Sequence, residues 1–135
     1  TDATIEQETL DQAVLCHTIL PDGQPSKCDL SGANLENAHL GDANLTKANL
    51  SWANLEWTNL TRATLIGANL TGADLTGASL IGANLTGADL TNANLTFVNL
   101  TNADLEKAIV SKANRTNTIF CDTTMPDGTI NRSGC

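Results

Sequence analysis

"ANLTGADLTGASLIGANLTGADLTNANL", Ala68 to Leu95, places leucine at every fifth position: Leu70, Leu75, Leu80, Leu85, Leu90 and Leu95. Neither the helix period of about 3.6 residues nor the strand period of two generates that spacing. The rhythm runs outward in both directions. Leucine occupies all sixteen positions from Leu30 to Leu105 in steps of five. Two residues before each Leu stands a small residue, Ala in thirteen of the sixteen cases and Cys28, Thr58 or Val98 in the others. The residue just before the Leu is usually Asn or Asp, as in Asn34, Asn69, Asp74 and Asp89. After the Leu come Thr or Ser and then often Gly or Asn.

A fixed period of this kind decides the fold. In an extended segment, residues two apart share a face, so the Ala at i−2 and the Leu at i point the same way. The next inward place would be i+2, but it holds Gly67, Gly72, Gly77, Asn92 or Lys107. The chain must turn there, and Gly and Asn tolerate the positive φ that many turns demand. One short side and one corner per five residues make a coil. Stacked coils are joined by backbone hydrogen bonds at a spacing of ~4.8 Å. Such a solenoid buries Leu and Ala along its axis and leaves Asn, Asp, Thr and Ser outside. The period alone leaves the number of sides per coil open.

The motif A-[ND]-L-[TS]-x, as in "ADLTG", "ANLTG" and "ANLTN", resembles that of the pentapeptide repeat proteins. Sixteen unbroken copies cover Cys28 to Lys107, with weaker copies at both ends. The resemblance implies an all-β solenoid: a right-handed quadrilateral β-helix, the Rfr fold, with four pentapeptides and so twenty residues per coil. Four interior columns follow, starting at Leu30, Leu35, Leu40 and Leu45 and ending at Val110, Arg115, Phe120 and Met125. Arg115 ends its column with a charge that is costly to bury, so the regular tube is expected to fray there. Phe120 and Met125 are large enough to plug an open end.

A solenoid also needs caps, because its end coils expose core and unpaired backbone. "TIEQETLDQAVL", Thr4 to Leu15, reads as a short N-terminal α-helical cap ending near Ala13. Thr4 and Gln7 fit a capping box, and Ile5, Leu10, Ala13 and Val14 form an apolar side. A strand is the competing reading, because residues 13–15 and 18–20 keep the pentapeptide register. The expected organisation is one domain over 1–135. It comprises a cap at 1–15, a disulfide-bracketed loop at 16–28, the β-helix at 28–120 and a disulfide-bracketed end at 121–135.

Two segments echo each other: "CHTILPDGQPSKC", Cys16 to Cys28, and "CDTTMPDGTINRSGC", Cys121 to Cys135. Each carries Pro-Asp-Gly, a tight-turn signal. Four cysteines allow three pairings. In the stacked coil, cysteines near opposite ends lie on the order of 20 Å apart, whereas a disulfide needs Cα atoms within ~7 Å. Cys16–Cys28 and Cys121–Cys135 remain. Free thiols and a metal site are the rival readings. A metal site needs converging thiolates or added His, and only His17 lies near a cysteine. Disulfides imply an oxidising compartment.

Little in the sequence points to catalysis. Asp29 and Asp89 fall in one column three coils apart, while Asp74 and Asp104 fall in others, so no carboxylate pair is expected to be poised for acid/base work. These acids, with the Asn of the repeat, read as surface hydrogen bonding and solubility. His17 and His39 are isolated. No cofactor or metal is expected. The larger outward side chains say more. Trp52, Trp57 and Phe97 occupy i+2 positions. Trp57, Gly77 and Phe97 share a column, with about 10 Å between the Cα positions of the two aromatic residues, and Trp52 stands over Gly72. Each ring either lies across the bare Gly beside it or anchors a partner, as exposed Trp clusters do.

The net charge of −8 argues against direct binding to nucleic-acid backbones. No stretch approaches the ~18 apolar residues of a membrane span. The start at Thr1-Asp2, with no signal peptide ahead of it, reads as a mature or trimmed form. Some pentapeptide repeat proteins are proposed to mimic DNA and bind type II topoisomerases. Residues 29–110 carry eight acids and three bases, a weak imitation of a duplex with one charge per ~1.7 Å. The expectation is a non-enzymatic structural or protein-interaction module, monomeric and with a protein partner. The Cys-bracketed Pro-Asp-Gly ends resemble those of cyanobacterial and chloroplast family members, which implies the periplasm or thylakoid lumen. A DNA-mimicking modulator of a type II topoisomerase in the cytoplasm is the alternative.

Overall fold

The structure, a computed structural model, describes residues 28–135. The expected cap at Thr4–Leu15 and the pairing partner Cys16 lie outside the described residues. Within them the chain is a solenoid. Parallel bridges join residues twenty positions apart along its length, from Asp29 with Asn49 to Asp104 with Thr124. Each coil is therefore four pentapeptides long. Among the described residues the strands longer than a single bridge are β1 (Thr123–Thr124) and β2 (Ile130–Asn131), and there is no helix.

The pentad Ala68–Gly72 shows why five residues suffice. Every buried backbone N–H needs an acceptor, and each of the five finds one. The Ala68 N–H donates to the Leu65 carbonyl (3.0 Å), closing the preceding corner. The Asn69 N–H reaches Ala48 in the previous coil (2.9 Å), while the Leu70 and Gly72 N–H groups reach Asp89 (2.7 Å) and Thr91 (2.9 Å) in the next. The Thr71 N–H donates to the Asn69 side chain (3.0 Å). Two donors close locally and three weld the coils together.

The corner is a four-residue turn in which the third residue has positive φ, the pattern of a type II turn. Gly72 sits there with φ 67°. The core is what the periodicity demands. From Leu45 to Leu105 every repeat Leu is at most 2% exposed, and from Ala48 to Ala103 the i−2 Ala layer is buried alongside. Thr58 replaces Ala at one i−2 place and is fully buried. Its hydroxyl donates to the Leu35 carbonyl (2.8 Å), which already accepts the Ala38 N–H (3.0 Å). Thr118 and Thr123 repeat the device on the Leu95 and Leu100 carbonyls.

The tube does not fray at Arg115. The Asn94–Asn114 bridge brackets it, and the ladder continues to Ile119 and Thr124. The charge is tolerated because Arg115 lies on the last full coil, where its side chain stays exposed. Past it, Phe120 is buried and Met125 packs against the core. β1 and β2 form an antiparallel hairpin across this end, with Thr123 opposite Asn131. The Phe120 N–H donates to Ser133 (3.1 Å), which holds the returning chain against the last coil.

Candidate functional site

Trp52, Trp57 and Phe97 all stand at corner positions, with φ of 60°, 57° and 59°. A left-handed backbone costs an L-residue about 1–2 kcal/mol relative to Gly, so bulky rings at these places are uncommon. Both indoles lie down on a glycine of the next coil. A Cβ added to Gly72 would overlap the Trp52 ring, and one added to Gly77 would overlap the Trp57 ring. Covering a glycine does not use up the rings. Trp52 is 69% exposed, Trp57 57% and Phe97 56%. Each indole therefore rests one face on backbone and offers the other to solvent.

Trp52 and Trp57 are consecutive corners of one coil. Between them runs a single side, Ala53 to Glu56, with Ala53 and Leu55 buried and Asn54 and Glu56 turned outward. The twenty-residue register places Asn34 and Glu36 on the same side one coil earlier, and Asp74 and Thr76 one coil later. Phe97 stands on the Trp57 corner column two coils on. Ile66, Ile109 and Ile130 are also exposed but lie elsewhere on the tube.

The acids of this side are closer than their columns suggest. Glu56 interacts with both Asp74 and Glu36. Burial first, and then the neighbouring negative charges of Asp74 and Glu36, hold its carboxyl above the usual range. The expectation that no two Asp align in neighbouring coils left out the Glu residues. It compared only the residues that precede each Leu. The residue after a Leu meets the one before a Leu on the next coil, eighteen positions on. The same diagonal joins the Thr61 and Ser79 hydroxyls (3.0 Å) and carries the Asn94 amide to the Thr76 hydroxyl (2.9 Å). Glu36, Glu56 and Asp74 were missed for that reason, and a search for acids eighteen apart as well as twenty apart finds them.

Elsewhere the acids are paired or capped. Arg62 makes a two-pronged contact with Asp42 (both 2.8 Å) that holds the Asp42 carboxyl below its ordinary value. Asp89 and Asp127 are lowered by the hydroxyls and N–H groups of Thr91 and Thr129. At the C-terminal end Cys121 and Cys135 are joined, with their Cα atoms 4.6 Å apart. Cys28 is also disulfide-bonded. Asp122 lies beside the Cys121–Cys135 pair. Both sulfurs are committed to the bridge, which leaves no thiolate there to ligate a metal, and Asp122 itself pairs with Arg132 (3.0 Å).

A family model for pentapeptide repeats matches this chain over residues 26–62, 58–96 and 88–127. Among solved structures, the chain is similar to a pentapeptide repeat protein from the Arabidopsis thaliana thylakoid lumen, at 33% identity and a TM-score of 0.68, covering 73% of this chain and 68% of that one. It is also similar to Rfr23 from the cyanobacterium Cyanothece, at 39% identity and a TM-score of 0.42, covering 67% and 79%. A third is HetL from the cyanobacterium Nostoc, a protein involved in heterocyst differentiation regulation, at 31% identity and a TM-score of 0.40, covering 76% and 64%. A search of curated proteins returns no match.

Proposed function

Because the chain belongs to the pentapeptide repeat family, we propose that it is a non-enzymatic protein-interaction module that works in an oxidising compartment. Members of the family are in general structural or interaction proteins. The observation that carries the reading is the pair of indoles at consecutive corners, Trp52 and Trp57, each more than half exposed. Exposed Trp on a rigid frame is a strong interface anchor because its large surface is already ordered before binding. Phe97 extends the patch along the tube.

The twenty-residue bridges support four pentapeptides to each coil, and a right-handed, four-sided course is proposed with them. A single domain, a helical N-terminal cap and a Cys16–Cys28 bridge complete the proposed molecule, which acts as a monomer. The Cys121–Cys135 bridge supports an oxidising compartment. The thylakoid lumen is the home of one relative and, with the periplasm, is the proposed location.

Capture from a lumenal or periplasmic extract tests the patch. Wild-type protein should retain a defined partner that the Trp52→Ala/Trp57→Ala variant loses; equal recovery by both rules out the patch. A thiol titration in denaturant without reductant should find no free thiol, and four free thiols would remove the compartment argument.

A further inference from the structure

Resting on that patch reading, we infer that the side between Trp52 and Trp57 takes a basic peptide segment of its partner, with Arg or Lys side chains on the indole faces and over the Glu36–Glu56–Asp74 strip. Two observations bear on the occupant. The indoles flank the strip, each lying flat on a glycine with its outer face free. A cation over such a face is held by the ring quadrupole, and Arg stacks on it as well. The strip itself is one-signed: residues 33–37, 53–57, 73–77 and 93–97 contain no Lys or Arg.

Charge also decides between occupants. Burial raises the Glu56 carboxyl, and the negative charges of Asp74 and Glu36 on either side of it raise it further. An incoming cation relieves the repulsion, whereas an anionic one increases it. A second copy of this chain carries the same strip and a net charge of −8, so self-association through this side is opposed. Nucleic acid and an anionic membrane surface are opposed for the same reason.

The test needs no label. The chain has two Trp, and both are at the site, so intrinsic fluorescence reports on it alone. The probe is acetylated, amidated penta-arginine, with penta-glutamate as control, titrated at low ionic strength into the full chain. Penta-arginine should give a saturable change and penta-glutamate none. The Glu36→Gln/Glu56→Gln/Asp74→Asn variant keeps both Trp, and Asn serves in place of Asp in many other pentads, so its fold is retained; circular dichroism checks this. It should weaken binding at least tenfold. A charge-matched control on other sides, Asp89→Asn/Asp104→Asn/Glu106→Gln, should bind within about twofold of wild type if the interaction is local rather than a long-range field. Equal weakening by both triple variants, or no saturable signal from penta-arginine, overturns the inference. Loss of Trp-dependent capture in the extract overturns the patch reading itself. Persistent capture without penta-arginine binding leaves the patch standing and removes only its cationic ligand.

Discussion

At the scale of single residues, the corner glycines and the rings above them are a matched set. Gly72 and Gly77 are the positions where a Cβ meets an indole. Gly77→Ala should therefore do two things at once. It should cost about 1–2 kcal/mol for a left-handed alanine, and it should lift Trp57 off the backbone. The same change at Gly87, where a Cβ meets nothing, should cost only the first. Denaturant melts compare the stabilities, and only the Gly77 variant should shift the emission maximum. Glu56 supplies a second expectation. Its carboxyl is raised in the folded state, so the fold holds that proton more tightly than the unfolded chain does. That advantage is complete below the unfolded pKa and disappears as pH rises to the folded one. Asp89 and Asp127 are lowered and slope the opposite way, their stabilisation fading as pH falls. The difference between wild type and Glu56→Gln isolates the first slope: relative to wild type, the variant should gain stability as pH rises through the carboxylate range. A flat difference would mean that burial and the Asp74 and Glu36 charges together do not raise the Glu56 carboxyl in solution. The corner residues were legible in the sequence, because a position that must turn every fifth residue announces itself. The acid strip was not, because Glu36 and Glu56 follow a Leu rather than precede one, and Asp74 joins them along an eighteen-residue diagonal that the column register hides.

At the scale of the pentapeptide, the Asn or Asp ahead of each Leu has a task beyond solubility. In most repeats its side-chain oxygen accepts the N–H two residues on, the donor that no neighbouring coil reaches. Asn84 accepts both the N–H and the hydroxyl of Thr86, at 3.0 and 2.6 Å. Asn84→Ala removes the acceptor of both bonds and should cost about 1–2 kcal/mol. Thr58→Ala makes an informative contrast. It deletes a buried hydroxyl, yet the Leu35 carbonyl keeps the Ala38 N–H as a donor, and Ala is what most repeats carry at that place. Its cost should stay below about 1 kcal/mol. Chemical denaturation of the two variants ranks them, and a larger loss for Thr58→Ala would contradict the hydrogen-bond accounting given for the pentad. The sequence displayed the Asn column plainly. Its role depends on which donors are left over after the coils have stacked, and that is a property of the coil rather than of any five residues.

At the scale of the whole molecule, the solenoid is a one-dimensional stack in which each coil rests on its neighbours. The middle coils were the most legible part, because sixteen leucines in strict register admit few other arrangements. The ends were less so. There the leucine period stops after Leu105 although the bridges run on to Thr124, and what closes the tube is a local hairpin and a covalent bond rather than another coil. The Cys121–Cys135 bridge spans 14 residues of sequence, for which the chain-entropy model gives about 3 kcal/mol. A stack with nearest-neighbour coupling should lose that support locally. In Cys135→Ser, hydrogen exchange should speed first at Phe120 and Thr123, whose N–H groups bond to Ser133 and Phe120. Leu70 and Leu75, two coils or more away, should keep their protection, and the binding of penta-arginine between Trp52 and Trp57 should be unchanged. If protection instead falls uniformly from Leu30 to Thr124, the tube unfolds as a single cooperative block. The C-terminal bridge would then govern the interaction side from a distance.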